Sequence, residues 1–275
     1  MGTHHEAGRD AIVPCPKCTT GFRMQYVIFA SYGNDSIALI QWAFMEGLQD
    51  VTVAFNETGW ARFDWDARIQ KAEQWIATIG FHAVRIPSEG MEALVRRKKA
   101  WPRGGGGKYQ FCTKSLKQEP ACRWLDQIDP KKELTCMVGI RREESLNRQY
   151  FPEWTESSDH HGGRSLWAPL VRFTARERDL LLSQTPFLPL PYRSKECFPC
   201  VNARKEELAS LDDGVVHRIH QLEVEMGMNS KGNPRVMFSP KRHKGATGIQ
   251  EVVQWARQEK KELPLFACDG GYCDP

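Results

Sequence analysis

The spacing of hydrophobic positions changes several times along the chain, and each change marks an element. Residues 26–30 (YVIFA) form a short unbroken apolar run, the pattern of a strand buried on both faces. SYGN at 31–34 reads as a turn, and residues 35–47 carry Ile37, Ile40 and Phe44 near one face of a helix. A second strand is predicted over 50–56 (DVTVAFN), a helix over 63–80, a third strand over 82–86 (HAVRI) and a basic helix over 91–100. A helix over 114–126, interrupted near Pro120, leads to a fourth strand at 135–140 (TCMVGI). Strands alternating with helices predict an α/β fold, a parallel twisted sheet with helices on both faces.

After Arg148 the texture changes, and Pro, Trp, His and Gly dominate to about residue 169. Thr174 and Glu177 have the spacing of a capping box, which starts a helix running to 182. Residues 184–199 read as Pro-rich loop, 205–226 as largely helical, 227–247 as polar basic loop and 249–261 as a last amphipathic helix. The predicted organisation is a CPKC-bearing segment over 1–25, an α/β domain over 26–170 and a small cysteine-bearing helical lobe over 171–275. No repeat of 20–50 residues is present.

Composition narrows this picture. With 275 residues, 41% hydrophobic and 26% charged, the chain is an ordinary globular one, which excludes a collagen-like, coiled-coil or largely disordered protein. No stretch approaches the ~18–20 apolar residues of a membrane helix, and the opening MGTHHEAGRD has no apolar run, so a cytoplasmic setting is expected. A net charge of +4 permits a polyanionic partner without demanding one. Of nine cysteines, an odd number, six fall into pairs, Cys15 with Cys18, Cys197 with Cys200 and Cys268 with Cys273, while Cys112, Cys122 and Cys136 stand alone. Grouped thiols of odd number point to metal or redox use rather than a disulfide framework.

The segment YVIFASYGNDSIALIQWAF (26–44) runs strand, turn, helix. In an open parallel sheet that connection directs backbone N–H groups and a helix N-terminus at one point, which favours an anion there. Ser31 and Ser36 can donate hydroxyl hydrogen bonds to a phosphate, whereas Asp35 suits a metal-mediated contact or a helix cap. The spacing is not that of a Walker A loop.

SYGNDS resembles the S-G-G-x-D-S loop of the PP-loop ATP pyrophosphatases at Ser31, Gly33, Asp35 and Ser36. It departs at Tyr32, where that family has Gly; a positive φ there is costly for Tyr. Further segments resemble, in order, the phosphoadenosine phosphosulfate (PAPS) reductase branch: VTVAFNETGW (51–60), FCTKSLKQEP (111–120), GIRREESLNR (139–148) and PLVRFTARERDLL. Together they cover about residues 26–182. The resemblance implies an adenine nucleotide alpha-hydrolase-like fold that binds ATP with Mg²⁺. It implies Asp35, Lys117, Arg141 and Arg148 as catalytic groups, and Ser31, Gly33, Asn34, Ser36, Glu57, Thr58, Glu144 and Ser145 as nucleotide contacts. An isolated Lys or Arg is more often a solvated surface charge, and Glu144 suits an ion pair with a neighbouring Arg equally well. GGGGK at 104–108 reads as a mobile lid carrying Lys108 or as a linker.

The spacing of Cys197 and Cys200 lets two thiolates meet one metal, with Cys112 as a third ligand and Cys273 or Cys268 as a fourth. Four thiolates suit a [4Fe–4S] cluster or zinc, and the resemblance to PP-loop sulfur-transfer enzymes favours iron–sulfur. Cys15 and Cys18 read as half a zinc knuckle, and Cys122 and Cys136 as core packing. His160 with His161, and His217 with His220, read as loop and helix surface.

Overall the chain resembles DNA phosphorothioation subunits of the Dnd and Ssp type. That implies an ATP pyrophosphatase that adenylates an acceptor for sulfur insertion, with DNA as acceptor and a cysteine desulfurase as sulfur donor. RRKK (96–99) and SPKRHK (239–244), with Trp101, suit a nucleic acid or a solvated surface equally. The chain is open to homo-oligomerisation, and no membrane partner is expected. Two other classes stay open. One is a PAPS reductase, although the E-C-G-L-H segment of that enzyme is absent; the other is a metal-organised scaffold whose loop Tyr32 has spoiled.

Overall fold

The computed structural model describes residues 25–105, 109–238 and 243–258. The first half alternates as the pattern predicts. Strand β1 (Tyr26–Phe29) leads into α1 (Asn34–Met45), β2 (Val51–Glu57), α2 (Trp65–Thr78), β3 (His82–Pro87) and α3 (Met91–Lys98). A helical run follows without a break: α4 (Phe111–Thr113), a π-helical turn (Lys114–Gln118) and α5 (Glu119–Ile128). The irregularity expected near Pro120 takes the form of the π-helical turn just before it, a change in the hydrogen-bond ladder at the point where Pro120 supplies no N–H, and the run continues through it.

Strand β4 (Thr135–Val138) is followed by two strands that the sequence pattern did not reveal, β5 (Trp154–Ser158) and β6 (Arg164–Trp167). All six strands form one sheet of order β3-β2-β1-β4-β6-β5, parallel except for the β5–β6 edge pair. The hairpin escaped the pattern because both strands are short and polar. RSLW opens on Arg164, which is fully buried and bonds the carboxylates of Asp129 (2.6 Å) and Asp126 (3.0 Å). A buried Arg satisfied in this way reads as a surface residue from its type alone.

Side chains alternate across the sheet, and both faces are covered. Tyr26, Ile28, Val53, Phe55 and Met137 pack on one face beneath α1 and α2; Val27, Ala54, Cys136 and Leu166 pack on the other beneath Ala121 and Leu125 of α5. Helix α6 (Ala175–Leu182), capped by Thr174 and Glu177 as the spacing predicts, places Leu181 and Leu182 in the first of these cores. Of the apolar face expected on α1, Ile37 and Ile40 are buried while Phe44 is half exposed.

A separate apolar core joins α3, Trp60 and Trp101 to the C-terminal helices α7 (Lys205–Ala209), α8 (Asp213–Met226) and α9 (Ile249–Arg257). The stretch 205–226, expected to be largely helical, is divided into two helices where the Asp212 side chain accepts Val215 N–H (2.9 Å) and caps a new start. Buried Glu223 accepts the N–H groups of Met237 (2.9 Å) and Ile249 (2.8 Å) and so ties the 227–248 connection to α8. Among the described residues no helix is long and apolar enough to cross a membrane.

Candidate functional site

A cavity of about 1070 Å³ opens at the carboxyl ends of β1, β2 and β4. This is where the chain, having built β2 and β3 on one side of β1, crosses to build β4 on the other, the switch point at which such sheets bind ligands. The turn between β1 and α1 forms one wall. Tyr32 has φ 57°, so the turn adopts the left-handed conformation that Gly would take without cost. The ring offsets part of that cost: it is fully buried and stacked on Phe55 at 5.4 Å.

The turn carbonyls are held away from the cavity. Trp65 Nε1 donates to Ser31 O (3.2 Å) and Arg68 Nε donates to Tyr32 O (2.7 Å). No side chain caps α1, so the first N–H groups of that helix stay open to a ligand while the competing acceptors are occupied. Gly139, just past β4, allows the close approach that shapes this end; a Cβ there would lie 2.7 Å from Asp35 O.

Cations line the cavity, and most are held by carboxylates. Arg141, only 4% exposed, donates to Asp35 (2.5 Å) and pairs with Glu143. Arg148 pairs with Glu144, whose Oε2 also accepts Arg141 N (2.9 Å), so Glu144 fills the ion-pair role anticipated for it. Lys117 pairs with Glu196. Burial works against the Lys117 charge, but Glu196 outweighs it and pushes the pKa up to about 12. Arg178, on α6, adds a cation 3.7 Å from Asp35. It lies in the PLVRFTARERDLL segment yet was not singled out, since one Arg on a helix reads as surface charge. The arrangement presents several positioned cations and an open helix N-terminus to one space, the requirements for holding a polyphosphate.

The other predicted contacts divide. Ser31, Gly33, Asn34 and Ser36 border the cavity with Asp35. The Asn34 side chain, however, clasps the backbone of Leu190, donating to its O (2.8 Å) and accepting from its N (2.9 Å). That clasp seats a strap, residues 190–196, along the turn; a Cβ on Gly33 would lie 2.9 Å from Ser194 Cβ. The strap supplies Tyr192, Arg193, Lys195 and Glu196 to the cavity, none of which the motifs indicated. Glu57 turns to Arg85 (3.6 Å), Ser145 is exposed, and it is Asn56 that faces the cavity from β2, its Oδ1 buried without a partner among the described residues.

Thr58 belongs to a second cavity of about 220 Å³, which adjoins the first across Lys117 and Glu196. Cys112, Cys197 and Cys200 all line it. Residues distant in sequence thus converge, because the helical run from Phe111 packs against the CFPC loop. Burial pushes the Cys112 and Cys197 thiols up, with Lys117 pulling the other way. The donor chemistry suits a thiolate-bound metal or cluster. As placed, though, no group of three His, Cys, Asp or Glu among the described residues is closed around an ion. Cys273, Cys268, Cys15, Cys18 and Lys108 lie outside the described residues.

The remaining candidates have local roles. In RRKK, Arg96 pairs with Glu92 and Glu225, Arg97 pairs with Glu89, and Trp101 is buried. Most of SPKRHK lies outside the described residues. His160 bonds Gln118 (2.8 Å), and His161 bonds Ser158 (2.9 Å) and packs on Phe29 at 5.3 Å.

Comparison with known proteins adds a family. The family model of the phosphoadenosine phosphosulfate reductase domain matches residues 25–195. A curated relative, an uncharacterized 37.8 kDa protein in the gpa 5′ region of Escherichia phage 186, is 28% identical over 111 residues, covering 38% of this chain and 33% of that protein. The chain therefore matches about one third of that relative's length. Similar solved structures include the U34-tRNA thiolase NcsA from Methanococcus maripaludis with its [4Fe–4S] cluster (12% identity, 86% of this chain and 84% of that one, TM-score 0.45). NMN synthetase from Francisella tularensis is similar too (14% identity, 88% and 90% coverage, TM-score 0.45). So is the PAPS reductase from Candida auris (14% identity, 59% and 74% coverage, TM-score 0.41). Likeness at this level bears on neither activity nor ligands.

Proposed function

Because the chain belongs to the phosphoadenosine phosphosulfate reductase domain family, we propose that its large cavity binds an adenine nucleotide by the phosphates and that the protein is an ATP pyrophosphatase. The observation that carries this reading is the β1–α1 turn. Its carbonyls are tied back by Trp65 and Arg68, its helix N-terminus is uncapped, and Arg141, Arg148, Arg178 and Lys117 share the cavity with it. In this reading an acceptor oxygen attacks the α-phosphorus, the bond to the β-phosphate oxygen breaks, and pyrophosphate leaves. A sulfur nucleophile then displaces AMP from the adenylate. Arg141 and Lys117 hold phosphate oxygens, and Asp35 keeps Arg141 in place. Mg²⁺, when bound, offsets the charge of the departing pyrophosphate.

The acceptor proposed is nucleic acid, with DNA phosphorothioate modification as the process and a cysteine desulfurase as sulfur source. Cys112, Cys197 and Cys200 would hold a [4Fe–4S] cluster, or zinc, beside the nucleotide, with Cys273 as the fourth ligand. The family's own description favours a second reading, reduction of a bound sulfonucleotide.

Titration of anaerobically purified protein with ATP–Mg²⁺ and with PAPS separates the two. ATP bound at least tenfold more tightly, with binding lost in Asp35→Ala, supports the pyrophosphatase. PAPS bound more tightly overturns it in favour of the reductase. Iron and acid-labile sulfide that disappear in Cys197→Ala and Cys200→Ala would support the cluster, and full retention of both would overturn it.

A further inference from the structure

The large cavity has more room than a nucleotide needs. At about 1070 Å³ it lies at the upper edge of ordinary small-molecule sites, roughly 300–1,000 Å³, and the turn residues 31–36 supply only part of its lining. The 190–196 strap, seated along the turn, also borders the cavity and is joined to the 59–64 loop by a hydrogen bond from Arg62 N to Lys195 O (3.0 Å).

Cations and aromatic rings interleave at this seam. Lys195 Nζ lies 3.7 Å from the ring centroid of Tyr192 and 5.4 Å from that of Phe198. The Arg62 guanidinium lies 5.5 Å from the Phe63 ring and 5.7 Å from Phe198. Phe63 is 77% exposed and Tyr192 41%, so both present ring surface to solvent. Arg62 pairs with Asp64 (3.0 Å), but neither Lys195 nor Arg204, also on the cavity wall, has an ion pair among the described residues. Burial and the nearby Arg62 hold the Lys195 pKa below its ordinary value, against the opposing pull of Asp64 and Glu207.

Open rings beside unpaired cations suit a polyanion whose repeating units carry π faces of their own. A duplex hides those faces in its stack, and a small acceptor has no use for an exposed ring at the mouth. We propose that this seam, with Arg62 and Phe63 on one side and Tyr192 and Lys195 on the other, is the docking site of a single-stranded nucleic acid. Bases stack on Phe63 and Tyr192, while the backbone runs over Lys195 and Arg204 toward the cavity. This assignment rests on the reading of the site as one that acts on a nucleic acid.

The test is fluorescence anisotropy of the full chain with a labelled mixed-sequence 20-nucleotide strand, as DNA and as RNA, and with the DNA duplex. The single strand of at least one chemistry should bind more tightly than the duplex. Phe63→Ala and Tyr192→Ala should each weaken it on the order of tenfold. Lys195→Gln should weaken it and reduce the slope of log K against log salt by about 0.7. Lys98→Gln, in the basic stretch of α3, should bind like the unaltered chain. Phe63→Ala should keep its ATP–Mg²⁺ affinity, which also shows that it is folded.

No single-strand binding at low salt, equal binding of strand and duplex, or strand binding insensitive to all three seam variants would each overturn the proposal. Loss of strand binding with nucleotide binding intact leaves the pyrophosphatase reading standing. Strand binding without nucleotide binding sinks that reading and not this one.

Discussion

Tyr32 concentrates the conflict between local conformation and packing. Its positive φ costs a non-Gly residue roughly 1–2 kcal/mol, yet its ring fills the space beside Phe55. Removing a large aromatic side chain from a core costs ~3–5 kcal/mol, so packing outweighs backbone strain. Tyr32→Gly, although it restores the residue expected in such a loop, should therefore lower stability by about 2–3 kcal/mol in urea denaturation. Tyr32→Phe should behave differently. The hydroxyl is buried with no partner among the described residues, so its loss should leave stability unchanged or raise it by about 1 kcal/mol. A Phe variant clearly less stable than the unaltered chain would mean that the hydroxyl is satisfied. The loop motif was legible residue by residue, but its accommodation of Tyr was not, because Phe55 lies on another strand.

At the scale of elements, the turn and the strap are one unit. Asn34 stands at the start of α1, where its type suits a helix terminus, but both of its side-chain hydrogen bonds go to Leu190, 156 residues away. Asn34→Ala should cost about 1–3 kcal/mol, and amide hydrogen exchange at Leu190 and through 192–196 should accelerate while α5 stays protected. Unchanged exchange in the strap would show that Ser194 and the Arg62–Lys195 bond hold it without Asn34. Alternation of period placed β1 to β4 and the helices between them within a few residues, since those elements bury apolar faces. The β5–β6 hairpin went unseen because its edge is satisfied by ion pairs and hydrogen bonds around Arg164, which leave no hydrophobic period.

At the scale of the whole molecule, that same edge sets an acid limit on stability. Burial, with the positive charge of His160 and Arg164 nearby, lowers the His161 pKa to about 4. Below the ordinary imidazole value of about 6.5 the unfolded chain takes up a proton that the folded chain refuses until about pH 4. This contribution is therefore full above pH 6.5 and is lost as pH falls from 6.5 toward 4, by up to about 3 kcal/mol. His161→Asn should flatten that part of the stability–pH curve; an unchanged slope would place the acid sensitivity elsewhere.

The order of apolar and polar residues was by itself sufficient for the α/β class, the parallel central strands and the turn between β1 and α1. Each of these is encoded within a short stretch of chain, where period, capping and spacing act. What only the tertiary structure decided is which distant groups share a space. It carried Cys112 to the CFPC loop, turned Glu57 outward and Asn56 inward, and occupied the RRKK arginines with carboxylates. It also brought the strap, with Tyr192 and Lys195, across the turn at Gly33. Those outcomes depend on contacts between segments far apart in sequence, and the free energy of such contacts comes from burial and charge pairing that exist only once the chain has folded.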